Sequence, residues 1–301
     1  MNRKGIILAG GKGTRLRPLT SCVCKPLLPV YDKPMIYYSL SVLMQAGIRD
    51  IAIITTPEDM HLFQRLLGDG GQWGVRFEWI VQPSADGIAQ AYILAEDFLQ
   101  GQPSALVLGD NLFLGAGFAD HLKSIKLPSV GGTVFTIAVE DPERYGVVGF
   151  DGNRVIEIVE KPAIPPSNCA VTGLYFLDGD AARRARGLSP SERGELEIVS
   201  LLETYLADGT LGVERLEAGL QWYDAGTHDS LLQASLAVQR LQQDGVLFGS
   251  PEEVSFLQGW TSLDSAATVF KELSKTAYGK MLERLAANPL RQVHEKAVPQ
   301  G

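Results

Sequence analysis

Gly10-Gly11-Lys12-Gly13-Thr14-Arg15 closes an apolar run that begins at Gly5. A glycine-rich loop exposes backbone N–H groups with no Cβ in the way, so a polyphosphate can lie against it. Lys12, Arg15 and Arg17 bring positive charge to the same place. Two familiar phosphate loops do not fit. The Walker loop requires Ser or Thr after its Lys, and Gly13 follows Lys12 here. The dinucleotide loop requires a third Gly three residues after the second, and Leu16 stands three after Gly13. Taken alone, the glycines also fit a tight strand-to-turn connection.

Two carboxylates stand out. Asp110 follows an apolar strand pattern in Leu108-Gly109-Asp110-Asn111, and Asp224 lies in Trp222-Tyr223-Asp224-Ala225-Gly226-Thr227. A carboxylate at a strand's carboxyl end suits Mg²⁺, which takes oxygen ligands and keeps several waters. Two such groups from distant positions could share one ion and clamp a triphosphate. By itself, either Asp is equally a turn residue or a helix cap. The planar fork of Arg15 suits phosphate oxygens.

Composition narrows the field. The chain has 301 residues, 45% hydrophobic and 21% charged, as in an ordinary globular enzyme. Its formal charge of −8 argues against broad nucleic-acid binding, so phosphate recognition must be local. No apolar run approaches the ~20 residues of a membrane span, and no signal peptide is expected. Cys22, Cys24 and Cys169 are too few for a disulfide framework and fit a reducing, cytoplasmic setting. Cys22-x-Cys24 lacks the second half of a zinc site. The four histidines are scattered.

These groups need elements to place them. Ile6–Leu8, Ile51–Ile54, Phe77–Val81, Ala105–Leu108 and Thr133–Val139 read as strands. Helices are expected after Pro34, after Pro57 and from Gly87. Such βα units imply an α/β fold, a Rossmann-like and mainly parallel sheet with helices on both faces and ligands at the strands' carboxyl ends. The pattern then changes. Tyr145–Phe150 and Val155–Val159 flank Asp151-Gly152 as a hairpin. Ala170–Phe176 is a further strand. A helix is expected from Ser200, with Ser200 and Glu203 as a capping box, and another near Asp229. The chain reads as helical from Pro251, with a loose polar tail after Leu290.

The longer string Leu-Ala-Gly-Gly-x-Gly-Thr-Arg-Leu-x-Pro-Leu-Thr, followed by Lys25-Pro26-Leu27-Leu28-Pro29-Val30, resembles the sugar-nucleotidyltransferase family. The resemblance extends to about Leu285. It implies a core over 1–250, with a nucleotide-binding part to about 140 and a sugar-binding part over 141–250, then a C-terminal helical segment over 251–301. It implies that a nucleoside triphosphate and a sugar 1-phosphate are joined with release of pyrophosphate. Leu8, Gly10, Gly11, Gly13, Thr14 and Arg15 would hold the nucleotide, with Arg15, Lys25 and Lys161 as catalytic cations. Asp110 and Asp224 match the family's Mg²⁺-binding motifs. Glu160 would meet a sugar hydroxyl, Lys161 and Arg193 the sugar phosphate, and Tyr145, Gly146 and Val171 the sugar pocket.

Val81-Gln82-Pro83-Ser84-x-Asp86-Gly87 resembles the pyrimidine-binding segment of the thymidylyltransferase branch. An amide at Gln82 offers a donor and an acceptor to thymine or uracil, and Gly87 lets backbone approach the base. The implied substrates are dTTP, with UTP as the rival, and glucose 1-phosphate. The implied assembly is a homotetramer, and the implied product is the entry to dTDP-deoxysugars such as dTDP-rhamnose. Another hexose 1-phosphate, or a catalytically silent sugar-nucleotide-binding regulator, are the competing readings. Three departures stand out. Pro26 replaces the branch's usual Gln, Ser200 its usual Asp, and Ala218 and Leu257 two arginines of its regulatory nucleotide site. Loss of those guanidinium groups is expected to weaken feedback inhibition by dTDP-rhamnose.

Overall fold

The computed structural model describes residues 3–11, 13–125, 130–152, 154–216, 219–262, 268 and 270–287. Lys12, Ala218 and the tail after Leu290 lie outside them. The strands are β1 (Lys4–Leu8), β2 (Pro29–Val30), β3 (Lys33–Pro34), β4 (Asp50–Thr55), β5 (Arg76–Val81), β6 (Ser104–Leu108) and β7 (Leu112–Leu114). They continue as β8 (Gly132–Ala138), β9 (Gly146–Asp151), β10 (Arg154–Glu160), β11 (Cys169–Leu177), β12 (Leu211–Arg215) and β13 (Gln221–Tyr223).

Nine of them form one sheet, ordered β10-β9-β11-β6-β1-β4-β5, with β8 on β11 and β12 on β8. The pairs β6–β1, β1–β4 and β4–β5 are parallel, as the βα repeats require. Side chains alternate between its faces. Ile7, Ile51, Ile53, Ala105 and Val107 pack to one side with Ile36, Leu40 and Leu43 of helix α1 (Met35–Gln45). Ile6, Ile54 and Leu106 face the other side, under Ala91 and Tyr92. Each fully buried aliphatic side chain contributes roughly 1.5–3 kcal/mol, so the sheet is held from both faces.

The second half is built antiparallel around β11. The carboxyl-terminal half of β11 pairs with β6, at Leu174↔Val107 through Leu177↔Ser104. Its other end meets β9, at Ala170↔Val147. The register against β8 shifts between Val171 and Tyr175. The sheet therefore splits where β6 stops and β9 takes over, and Asp110 and Asn111 emerge at that split. The expected hairpin is β9–β10, with Arg154 opposite Asp151 and Gly152 at φ +59°.

Two expectations need correction. The helix expected from Gly87 starts at Gln90 and breaks at Ala95 into α2 (Gln90–Leu94) and α3 (Glu96–Leu99). The helix expected from Ser200 begins earlier, as Ile198–Ala207. Its N-cap is Glu197, in extended geometry, and Ser200 sits inside the first turn. Ser200 and Glu203 form no capping box. The cap with both reciprocal bonds belongs to Thr227 and Ser230, at the start of the helix His228–Gln243.

A third apolar cluster joins distant segments. Leu16, Leu28, Val30, Met35, Leu112, Ala225, Ala234 and Val238 pack together. This cluster pins the chain after the glycine loop, the chain after Lys25 and the Asp224 loop to one another. Among the described residues no helix is long and apolar enough to cross a membrane.

Candidate active site

The carboxyl ends of β1 and β6 open into a cavity of about 320 Å³. Leu8, Gly10, Gly11, Gly13, Thr14, Arg15, Lys25 and Asp110 line it, together with Leu16, Pro26, Ile88, Leu108 and Gly226. Eight of the residues singled out in the sequence therefore meet at one place. Gly11 and Gly13 have φ of +113° and +52°, where a side chain would strain the backbone. Gly109 allows β6 to approach β1, donating its N–H to the Leu8 carbonyl at 2.9 Å. A Cβ on Gly109 would lie 3.1 Å from that oxygen.

Lys25 is the centre of the arrangement. It is 8% exposed, in a short 3₁₀ turn whose Lys25 carbonyl accepts from Leu28 N–H at 3.0 Å. Its Nζ donates to Asp110 Oδ2 at 2.6 Å and to the Asp224 carbonyl at 2.7 Å. One ammonium thus ties the end of β6 to the loop after β13. Asp224 Oδ1 accepts from Gly226 N–H at 3.0 Å. A Cβ on Gly226 would fall 2.8 Å from Asp224 Oδ2 and 3.3 Å from an Arg15 terminal nitrogen. Arg15 and Asp224 therefore flank the same glycine. Arg144 adds another cation, 3.5 Å from Asp224 Oδ2. Its hydrogen bond to Asp141 raises the guanidinium pKa further.

A hard divalent cation fits this donor set. Asp110 and Asp224 offer only oxygen, and their carboxylates are partly open, at 30% and 18% exposure. Among the described residues no cluster of three or more His, Cys, Asp or Glu side chains is arranged to hold a metal. An ion here would take its remaining ligands from phosphates and water, as Mg²⁺ commonly does.

Glu160, Lys161, Arg193, Tyr145, Gly146 and Val171 do not line this cavity. They gather instead at the near end of the β9–β10 hairpin. Arg193 Nη2 lies 3.2 Å from Glu160 Oε1 and 2.8 Å from Glu197 Oε1. Lys161 Nζ is 3.4 Å from Glu160 Oε1. Lys161 has φ +43°, rare for a side chain that could avoid it, while its N–H donates to the Tyr145 carbonyl at 2.9 Å. A Cβ on Gly146 would lie 2.9 Å from Val199, 3.5 Å from Glu160 Oε2 and 3.8 Å from the Val171 Cβ. Tyr145 joins the two groups, packed edge-on against Trp222 with centroids 5.1 Å apart. Burial first, and then the Asp224 carboxylate, push its phenol up to about 12, so it stays protonated at neutral pH.

Gln82 and Gly87 stand on the other flank. Gln82 is 3% exposed and donates from Nε2 to Gln90 Oε1 at 2.8 Å. Its Oε1 is buried with no partner. A Cβ on Gly10 would fall 1.9 Å from that oxygen, so the loop and the amide fit only because residue 10 is Gly. Gly87 has φ +107°, and a Cβ there would lie 2.3 Å from the Leu196 carbonyl. Backbone bonds Leu196 N–H to Asp86 O and Ala89 N–H to Leu196 O clamp this segment to the stretch that carries Arg193.

Asn111, Arg144 and Glu197 were missed as candidates. The Asn111 Nδ2 donates to Asp110 Oδ1 at 2.8 Å, and its Oδ1 accepts from Trp222 Nε1 at 2.6 Å and Gly173 N–H at 3.1 Å. That one amide ties together the Asp110 carboxylate, the sheet split and the wall near Asp224. Its signal was adjacency to Asp110, and Arg144 likewise directly precedes Tyr145. Glu197 carried no signal beyond a run of carboxylates. Leu257 is exposed, at 41%.

A doubly covered α/β sheet carries a glycine loop, a lysine that ties the Asp110 carboxylate to the Asp224 backbone carbonyl, and a second cationic cluster, a set of groups that suits phosphorylated ligands. The description "Nucleotidyl transferase" matches residues 4–240, and the chain belongs to that family. Within it, the chain groups with the glucose-1-phosphate thymidylyltransferases. It is 55% identical over 286 residues to the glucose-1-phosphate thymidylyltransferase of Xanthomonas campestris pv. campestris (strain B100), covering 94% of this chain and 97% of that protein. The Neisseria gonorrhoeae protein of the same name is 52% identical over 284 residues, covering 94% and 99%. A Bacillus anthracis crystal structure, described under that name in complex with sucrose, superposes with a TM-score of 0.75 at 41% identity, covering 83% of this chain and 98% of that one. A UDP-glucose pyrophosphorylase bound to UDP-glucose superposes with a TM-score of 0.70 at 26% identity, covering 80% and 99%.

Proposed function

We propose that this chain transfers a thymidylyl group from dTTP to glucose 1-phosphate, giving dTDP-glucose and pyrophosphate. The observation that carries this reading is the Lys25 ammonium, which joins Asp110 to the Asp224 loop beside the glycine loop. The names of its relatives support the substrates.

The nucleophile is a sugar-phosphate oxygen, already ionised near pH 7, so no strong general base is needed. It bonds to the α-phosphorus as the bond from that phosphorus to the bridging oxygen breaks. Pyrophosphate leaves with the electron pair. The protein's work is alignment and charge neutralisation. Arg15 and the glycine loop hold the leaving phosphates, and Lys25 meets the charge developing at the α-phosphoryl group. Lys161 and Arg193 hold the sugar phosphate, and Glu160 accepts from a sugar hydroxyl. Tyr145, Gly146 and Val171 wall the sugar. Asp110 and Asp224 would hold Mg²⁺, which when bound offsets charge on the triphosphate. We read the enzyme as a cytoplasmic homotetramer whose product enters dTDP-deoxysugars such as dTDP-rhamnose.

Base choice rests on the unpartnered Gln82 Oε1. Thymine and uracil carry an N3–H that can donate to it, and cytosine does not. Pyrophosphate release from the full-length protein, measured with four triphosphates and several sugar phosphates, tests the reading. The highest kcat/KM is expected for dTTP with glucose 1-phosphate. UTP should trail by about 10–200-fold, the usual weight of one methyl group. CTP should trail further. Release with no triphosphate, or with purine triphosphates alone, would overturn the proposal.

A further inference from the structure

A second cavity, of about 540 Å³, lies between the turn of the β9–β10 hairpin, β12 and the end of the helix Ile198–Ala207. It shares no lining residue with the first. Its walls divide by chemistry. Val155, Leu206, Leu211 and Val213 are partly buried and continuous with the sheet's core. Arg154 and Arg215 border the same space and are exposed. The Arg215 guanidinium carbon lies 4.0 Å from the centre of the Phe150 ring. A fork held against a ring keeps N–H groups free for an anion.

Among the described residues neither arginine has an ion-pair partner. Asp151 is the cross-strand neighbour of Arg154 but does not reach ion-pair distance. Glu214, next to Arg215, lies instead 3.7 Å from His121. Two guanidinium groups border one cavity with no carboxylate at ion-pair distance, and an anion in that cavity would offset their charge.

We propose that this cavity is a binding site for a small organic phosphate that carries a ring. The phosphate sits against Arg154 and Arg215, and the ring lies on the apolar wall. The volume is within the range of roughly 300–1,000 Å³ usual for small-molecule sites. Two cations on a chain of net charge −8 suit one phosphate group and not an extended polyanion. The site lies at the far end of the hairpin from Gly146 and Glu160, so its occupant is not a reactant.

Phenyl phosphate is the probe, titrated into the full-length protein by calorimetry. Saturable binding of one molecule per chain is expected. The double variant Arg154→Gln/Arg215→Gln should weaken it by about tenfold or more, as loss of charge-assisted bonds implies. Its turnover without phenyl phosphate should be unchanged. Phe150→Leu should weaken binding less than the double variant does, and Arg15→Gln should leave it intact. No saturable binding to the unmodified protein would overturn the proposal. So would binding that disappears in Arg15→Gln and survives in the double variant, because the probe would then occupy the glycine-loop cavity. A double variant that changes the oligomer's size, with no probe bound by the unmodified chain, would mark this face as a contact between copies and overturn it too.

Discussion

Lys25→Ala is expected to lower kcat by about 10²–10³-fold, the usual loss when one preorganised donor is removed from developing charge. The expectation follows from position. Lys25 is nearly buried and contacts both Asp110 and the Asp224 carbonyl. Its removal takes away a cation and unties two loops at once. The 3₁₀ turn around it is held by backbone bonds, so the fold should survive. Lys25→Arg should recover only part of the rate, because a planar fork cannot replace a point charge between those two oxygens. Steady-state kinetics alongside circular dichroism checks this. A loss of less than tenfold with an intact spectrum would remove Lys25 from the chemistry.

Asp110→Asn should be as damaging, for a different reason. The amide keeps the shape and can still meet Asn111, but it lacks the charge a hard cation needs. Lys25 also loses its 2.6 Å partner. A fall in kcat/KM of about 10²–10³-fold is expected, with a rise in the Mg²⁺ concentration giving half-maximal rate. A Mg²⁺ titration of the initial rate reads both effects. Full turnover by Asp110→Asn at saturating Mg²⁺ would show that the carboxylate pair holds no ion that matters to the reaction.

Much of this site was legible because it is local. The glycine loop, the strand leading into Asp110 and the Glu160-Lys161 step each sit within a few residues, and the period-2 and period-3.6 patterns around them are strong. What was not legible is what depends on long-range register. β11 is shared end to end between β6 and β9, and no local pattern encodes that division. The split it creates is why Gly173 N–H needs the Asn111 side chain. Arg193 was singled out only through the family resemblance, and no local pattern pointed to its bonds to Glu160 and Glu197. Ser200 looked like a cap because Ser favours that position. Glu197 took it, with its own carboxylate engaged by Ser191 and Arg193.

One claim underlies the rest: the triphosphate lies against the glycine loop, with Lys25, Asp110 and Asp224 beside it. A crystal structure of the full-length protein with dTTP and Mg²⁺ tests it most directly. The account predicts phosphates along Gly10–Arg15, a metal ion on Asp110 and Asp224, and thymine N3–H bonded to Gln82 Oε1. A triphosphate bound away from Arg15, or a metal that touches neither carboxylate, would contradict it.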